Sequence, residues 1–366
     1  MEIPLTAEQI LLRDSAAKFI AEPKAARTLR ERLPSFAPAR LRQAGELGWL
    51  GMLVPSSAEG LGLGLTELVL VLEQAGRGLV CEPVGLAIIA AAALAQGHAP
   101  HPILRRAMLG EALVVPALQE SAHDPLALRA QATGDRTPRL SGTKISVCAD
   151  GAEGFLVSAR GSDGPALYYV PRDSAGVSVS TAPTVDGRML ATVELKGAPA
   201  DLVPARQSSR SAVEALTDLA LIAFSAELLG VMEGAQELTF EYLRVRKQFG
   251  KPIGSFQALQ HKAVDIYIKT ETVRSLLYQV AAANDPYRID PALAVAVKAK
   301  ASEEALAVTQ TCIQLHGAIG FTDEHDIGLY LKRAMLLSSL SGNAAAQRRR
   351  YVKIADLASH SGFRSI

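Results

Sequence analysis

The chain's 366 residues are 49% hydrophobic, and its 38 basic side chains nearly cancel 37 acidic ones. That length and apolar share allow a substantial core spread over two or three layers or subdomains. The near-zero charge balance argues against a nucleic-acid or anionic-membrane surface.

The first residues, MEIPLTAEQI, lack a basic stretch followed by an apolar core, so no signal peptide is expected and the expected location is cytoplasmic. From Thr6 to about Leu113 the pattern is helical. Leu11, Ser15, Phe19 and Ile20 open an amphipathic segment, and Leu65 to Gly76 and Val84 to Ala95 read as buried helices. Leu86 to Ala95 is strongly apolar but too short for a membrane span, which takes about 20 residues. Gly60, Gly62 and Gly64 imitate a dinucleotide fingerprint. The third glycine arrives one residue early and no strand precedes it, so a loop is expected there. Near Val114 the texture changes to short apolar runs separated by Gly, Asp, Ser and Pro. The runs are Ala112–Leu118, Arg139–Val147, Gly154–Ala159, Ala166–Val170, Val177–Val179 and Leu190–Leu195, and their spacing predicts a β sandwich or small barrel. From about Ser208 helices return and continue to Leu357. Leu216–Val245, Phe256–Ala283 and Pro291–Leu315 are each long enough for an antiparallel bundle. The predicted domains are therefore 1–113 (helical), 114–207 (β) and 208–366 (helical bundle). Cys81, Cys148 and Cys312 are odd in number, widely spaced and outside any metal-ligand pattern; they point to a reducing compartment and buried packing roles.

The run from Tyr242 to His261 is the most informative. Leu238, Tyr242 and Val245 recur at helical spacing, while Arg244, Arg246 and Lys247 take the other face. Gly250, Pro252 and Gly254 then break the helix, and Ser255 is the expected N-cap of the next one. A basic helix end beside a glycine turn suits a diphosphate, because guanidinium forks match phosphate oxygens.

The wording of this run, RKQFGKPIGSFQALQHK, closely resembles the signature of the acyl-CoA dehydrogenase family. Two further segments carry the same resemblance in the family's order. One is Gln314-Leu315-His316-Gly317-Ala318-Ile319-Gly320-Phe321-Thr322. The other runs from Val54-Pro55 through the glycines at 60, 62 and 64 to Leu72-Glu73-Gln74-Ala75-Gly76. Together they span nearly the whole chain. The resemblance implies an α+β multidomain fold: an N-terminal helical domain, a middle β domain and a C-terminal four-helix bundle that mediates oligomerisation. It also implies FAD as cofactor, an acyl-CoA substrate desaturated between Cα and Cβ, and electron-transferring flavoprotein as acceptor. Arg246, Phe249, Gln257, Gln314 and Gly317 stand where family members reach the adenine and diphosphate half of a flavin whose ring lies in a neighbouring subunit. His316 either contacts the flavin or packs in its loop; His261 is expected to be a polar contact.

Desaturation needs a carboxylate base, with its pKa raised in a water-poor pocket, and a flavin to take the hydride. The family's glutamate occupies one of two places, and the matching residues here are Ser341 and Ala220, neither able to take a proton. The substrate-side arginine position is Leu221. In the β domain the residues that hold the flavin ring also thin out: Leu118-Gln119-Glu120-Ser121 keeps Glu120, and Ser146 and Cys148 replace a tryptophan and a threonine. No catalytic residue is therefore assigned. The expectation is the catalytically reduced partner of a hetero-oligomeric enzyme, resembling the paired subunits of bacterial sterol side-chain and pimeloyl-CoA degradation. A companion subunit would supply base and ring pocket. The alternatives are a stand-alone homotetramer with Asp218 or Glu227 as a displaced base, or a non-catalytic scaffold.

Overall fold

In the computed structural model the first helix, α1 (Ala7–Ile20), is followed by α2 (Pro38–Glu46), α3 (Leu65–Arg77), α4 (Val84–Leu94) and the short α5 (Leu104–Met108). The structure describes residues 4–20, 37–97, 100–122, 124, 126–134, 137–204 and 212–362; the expected boundary at 207/208 falls outside them. α4 is buried on every side, as its uniform Ala/Leu/Ile composition requires.

Eight strands follow: β1 (Leu113–Ala117), β2 (Gln131–Thr133), β3 (Arg139–Val147), β4 (Ala152–Gly161), β5 (Gly164–Pro171), β6 (Val177–Pro183), β7 (Met189–Pro199) and β8 (Asp201–Val203). They form one sheet in the order β6-β7-β3-β2-β4-β5-β8, with β1 also paired to β4. Spacing alone pointed to a sandwich or barrel. Within this sheet β1 and β2 both pair parallel with β4, β1 against Ala152–Val157 and β2 at Arg160. Between β3 and β7 the register slips: Lys144 faces Val193 while Val147 faces Ala191. This bulge holds Ser146 at φ 56° and bends the strand, as an extra residue must.

The C-terminal part begins with α6 (Ala212–Val245), followed by a two-stranded hairpin, β9 (Lys247–Gln248) and β10 (Lys251–Pro252). Then come α7 (Gln257–Ala283), α8 (Pro291–His316), α9 (Ile327–Ser339) and α10 (Ala344–Gly362). α6 is long and apolar enough to cross a membrane, yet 94% of its apolar window is buried, which makes it the central core helix. It meets α3 at glycines. A Cβ on Gly76 would lie 2.0 Å from the Glu227 carbonyl oxygen, and one on Gly230 would lie 1.8 Å from that of Glu73. Only hydrogen side chains permit so close a crossing. Ser255 does not cap α7 as expected. It sits in a 3-10 turn, where its hydroxyl donates to the Pro252 carbonyl at 2.8 Å, and Phe256 takes the N-cap position.

Beside this crossing, Arg274 of α7 pairs with Glu73, Glu233 and Glu271, and the Tyr278 hydroxyl donates to Glu73 at 2.6 Å. Burial, reinforced by the neighbouring Glu73 carboxylate, pushes Glu233 up from 4.5 to about 8. The folded protein therefore keeps a proton there that the unfolded chain releases near pH 4.5. Stability from this group is present at acidic pH and lost as pH climbs towards 8. In thermal melts between pH 5 and 8, Glu233→Gln is expected to gain in stability relative to wild type as pH rises.

Candidate functional site

A small cavity lies where the first helical part, the sheet and the bundle meet. Leu86 of α4, Pro116 of β1, Leu118 and Gln119 beyond it, Ile145, Ser146 and Cys148 of the β3 bulge, Ala220 and Phe224 of α6, and Leu340 and Ser341 after α9 line it. Its volume is about 40 Å³. Ala220 and Ser341, far apart in sequence, are the two positions where the resemblance places a glutamate, and they open onto this same space. None of the lining side chains is a carboxylate. The only titratable one is the Cys148 thiol, which burial pushes up to about 11, so it holds its proton at neutral pH.

Two glutamines fasten the Ser341 peptide. Gln119 Oε1 accepts from the Ser341 N–H at 3.2 Å, and Gln347 Nε2 donates to the Ser341 carbonyl at 2.6 Å. Ser341 itself is held at φ 54°, in the left-handed region that a side chain seldom adopts. Gln119 and Glu120 point opposite ways, as neighbours in an extended segment do. Gln119 enters the cavity, whereas Glu120 accepts from the buried Lys144 ammonium at 2.5 Å and from the Ala130 N–H at 3.1 Å. Glu120 thus braces the sheet, and Gln119 is a site residue that its position in a thinned motif had concealed.

Neither displaced-base candidate lines this cavity. Asp218 is fully buried, does not line the cavity, and accepts from Arg350 Nη2 of α10 at 2.6 Å. Two residues from Ala220, it lies about 200° round the helix. Glu227 accepts from Arg188 Nη2 at 3.3 Å, and Arg188 also donates to the Val80 carbonyl at 2.8 Å. Asp186 joins the same cluster through Arg333 Nε at 2.6 Å. Each carboxylate is matched by a guanidinium, which is how buried charges persist.

The cavity's polar lining is one carboxamide, two hydroxyls and a thiol, a sparse set for holding an isoalloxazine ring. The residues expected at the other half of a dinucleotide lie in different chemical surroundings. The β9–β10 hairpin turns through Phe249 and Gly250, at φ 53° and 79°, the pair of left-handed residues a two-residue hairpin prefers. Phe249 stands 89% exposed, and the Phe256 ring meets it edge-on at 6.0 Å. Arg246, at the end of α6, is exposed and forms no ion pair among the described residues. Gln257 is exposed in the first turn of α7, and Gln314 in the last turn of α8. Lys262 of α7 donates to Gln314 Oε1 at 3.0 Å, tying these two helices. Gly317 follows at φ 66°, with open space where a Cβ would be. The exposed guanidinium and carboxamides carry N–H donors of the kind an anionic nucleotide tail accepts from. His316 differs from the other five predicted residues. It is buried, its ring is stacked on Tyr242 at 4.5 Å, and its Nδ1 contacts the Cys312 carbonyl at 2.8 Å. Burial lowers its pKa, so a neutral imidazole supports the Gly317 loop from beneath. Lys262 is the residue that sequence reading passed over; it stands inside the QHK wording as an ordinary helix-surface lysine.

Residues 6–104 match the acyl-CoA dehydrogenase N-terminal domain, and residues 211–355 match the C-terminal domain. The acyl-CoA dehydrogenase FadE27 of Mycobacterium tuberculosis is 31% identical, covering 92% of this chain and 93% of its own length. IpdE2 of Mycolicibacterium smegmatis, also an acyl-CoA dehydrogenase, is 29% identical over 94% of this chain and 98% of its own. Among solved structures, a variant of the steroid ACAD Tcur3481–Tcur3483 superposes with a TM-score of 0.89 at 32% identity, covering 96% of this chain and 99% of that one. The ChsE4–ChsE5 complex from Mycobacterium tuberculosis gives 0.86 at 28% identity, covering 96% and 98%.

Proposed function

This chain belongs to the acyl-CoA dehydrogenase family, FAD-dependent oxidoreductases that act on a CH–CH bond of acyl-CoA, and we propose that it serves as the subunit without a base in a two-chain enzyme of that kind. The observation that carries this reading is the meeting of Ala220 and Ser341 at one cavity of about 40 Å³ that no carboxylate lines. A companion of the same family supplies the glutamate and the ring pocket. FAD, when bound there, supplies the hydride acceptor for desaturation of the acyl thioester. This chain contributes the far end of that site: the Arg246 guanidinium for the diphosphate, Phe249 for apolar cover, and Gln257, Gln314 and the Gly317 backbone for the nucleotide. Exposure of Phe249 and Phe321, at 89% and 81%, supports a contact with another chain, since bare aromatic side chains mark interface anchors. The two-chain names of both structural neighbours, Tcur3481–Tcur3483 and ChsE4–ChsE5, support the hetero-oligomer, and the description of the first as a steroid ACAD supports a steroid-derived acyl-CoA. Electron-transferring flavoprotein is the proposed acceptor.

The test compares the chain purified alone with the chain co-purified with a companion. The complex should carry about one FAD per pair of chains, because only the companion supplies a ring pocket in this reading, and its absorbance should bleach when a steroid acyl-CoA is added anaerobically. The lone chain should neither retain the cofactor nor bleach. Bleaching by the lone chain would sink the reading, and flavin-free complexes would favour a scaffold.

A further inference from the structure

We infer that Lys262 is a positioning residue of the nucleotide-tail clamp, acting by fixing which end of the Gln314 carboxamide faces the ligand. This rests on the shared-site reading above. A carboxamide has one acceptor end and one donor end, and rotation exchanges them at little cost on an exposed side chain. The lysine ammonium has donors only, so the atom 3.0 Å from Lys262 Nζ is Gln314 Oε1. With the oxygen held there, the two N–H groups on Nε2 point away from α7. They find no protein acceptor among the described residues and are left for the ring nitrogens or phosphate oxygens of a nucleotide.

Charge supports the same assignment. Lys262 is half-buried and makes no ion pair among the described residues, whereas Lys269 and Lys300, further along α7 and on α8, both close on Glu304. The Lys262 charge is therefore not neutralised by a carboxylate among the described residues, and its partner there is the Gln314 oxygen. An anionic tail meets the presented amide, and the lysine acts on it through that amide. Without Lys262, the Gln314 oxygen would be free to rotate outward and oppose an anion.

The experiment strips FAD from the assembled two-chain complex and titrates back FAD, ADP and riboflavin. It uses wild type, K262M, Q314A and the double variant, with Arg246→Ala alongside. K262M is expected to weaken FAD and ADP by about tenfold, the scale of one charge-assisted contact, and to leave riboflavin unchanged. In the Q314A background, K262M should cost less than about twofold more, because the lysine acts through the amide it holds. K262R should recover part of the loss. Losses that multiply in the double variant would overturn the positioning role, as would K262M binding like wild type while Arg246→Ala loses affinity. Wild-type affinity in both single variants would overturn the shared-site reading as well.

Discussion

Replacing Arg246 by alanine in the assembled complex is expected to weaken FAD retention by about ten- to a hundredfold, the equivalent of roughly 1.5–3 kcal/mol for hydrogen bonds to a charged group. The side chain is exposed and forms no ion pair among the described residues, so its removal breaks none of those and the fold should hold. What disappears is a planar fork able to meet two phosphate oxygens at once. Arg246→Lys should restore the charge without the fork and recover only part of the affinity. The effect should shrink as salt is raised, because an exposed charge is screened. Dilution-induced FAD release, followed by flavin fluorescence, measures all three. An alanine variant that keeps the cofactor as tightly as wild type would remove Arg246 from the site.

Replacing Arg350 by methionine is expected to destabilise the protein by about 3–5 kcal/mol, since it strips the guanidinium from a carboxylate that cannot reach water. Asp218 is fully buried, and the contact with Arg350 is 2.6 Å. Asp218→Asn alone should also destabilise, by leaving the arginine uncompensated. The double variant, Asp218→Asn with Arg350→Met, should regain much of the loss, because an apolar side chain and a neutral amide carry no unpaired charge. The double variant also decides a functional question. If Asp218 were the base, turnover by the complex would vanish even with the fold recovered. Because Asp218 is committed to Arg350 and lies off the cavity, turnover should survive. Denaturant melts and steady-state assays on the same three variants separate the two effects.

Much of the molecule was legible from local pattern. The order of helical, β and helical segments follows from apolar periodicity within a dozen residues. α3, α4 and α8 begin at the predicted residues and end within one of the predicted limits, and α6 and α7 agree at their C-terminal ends. The basic arm was equally readable. Phe249-Gly250 turns between two short strands, and Pro252 and Gly254 interrupt the helix, all through conformational preferences of the residues themselves. Ser255 was misread because the chain enters α7 through a 3-10 turn that holds Ser255 one residue before the cap position, which Phe256 takes.

Long-range closure was decided elsewhere. Ala220 and Ser341 could be named as positions lacking a carboxylate, but only the packing of α6 against the α9–α10 junction brings them to one cavity and sets its volume. Asp218 and Glu227 looked like available carboxylates because their partners, Arg350 and Arg188, lie 132 and 39 residues away. Gln119 and Lys262 have the same history, one reaching Ser341 across 222 residues and the other Gln314 across 52. Periodicity and turn chemistry act over a few bonds, so the linear chain determined its helices, strands and basic arm. Charge pairing and cavity closure depend on which distant surfaces exclude water together, and those the tertiary structure alone decided.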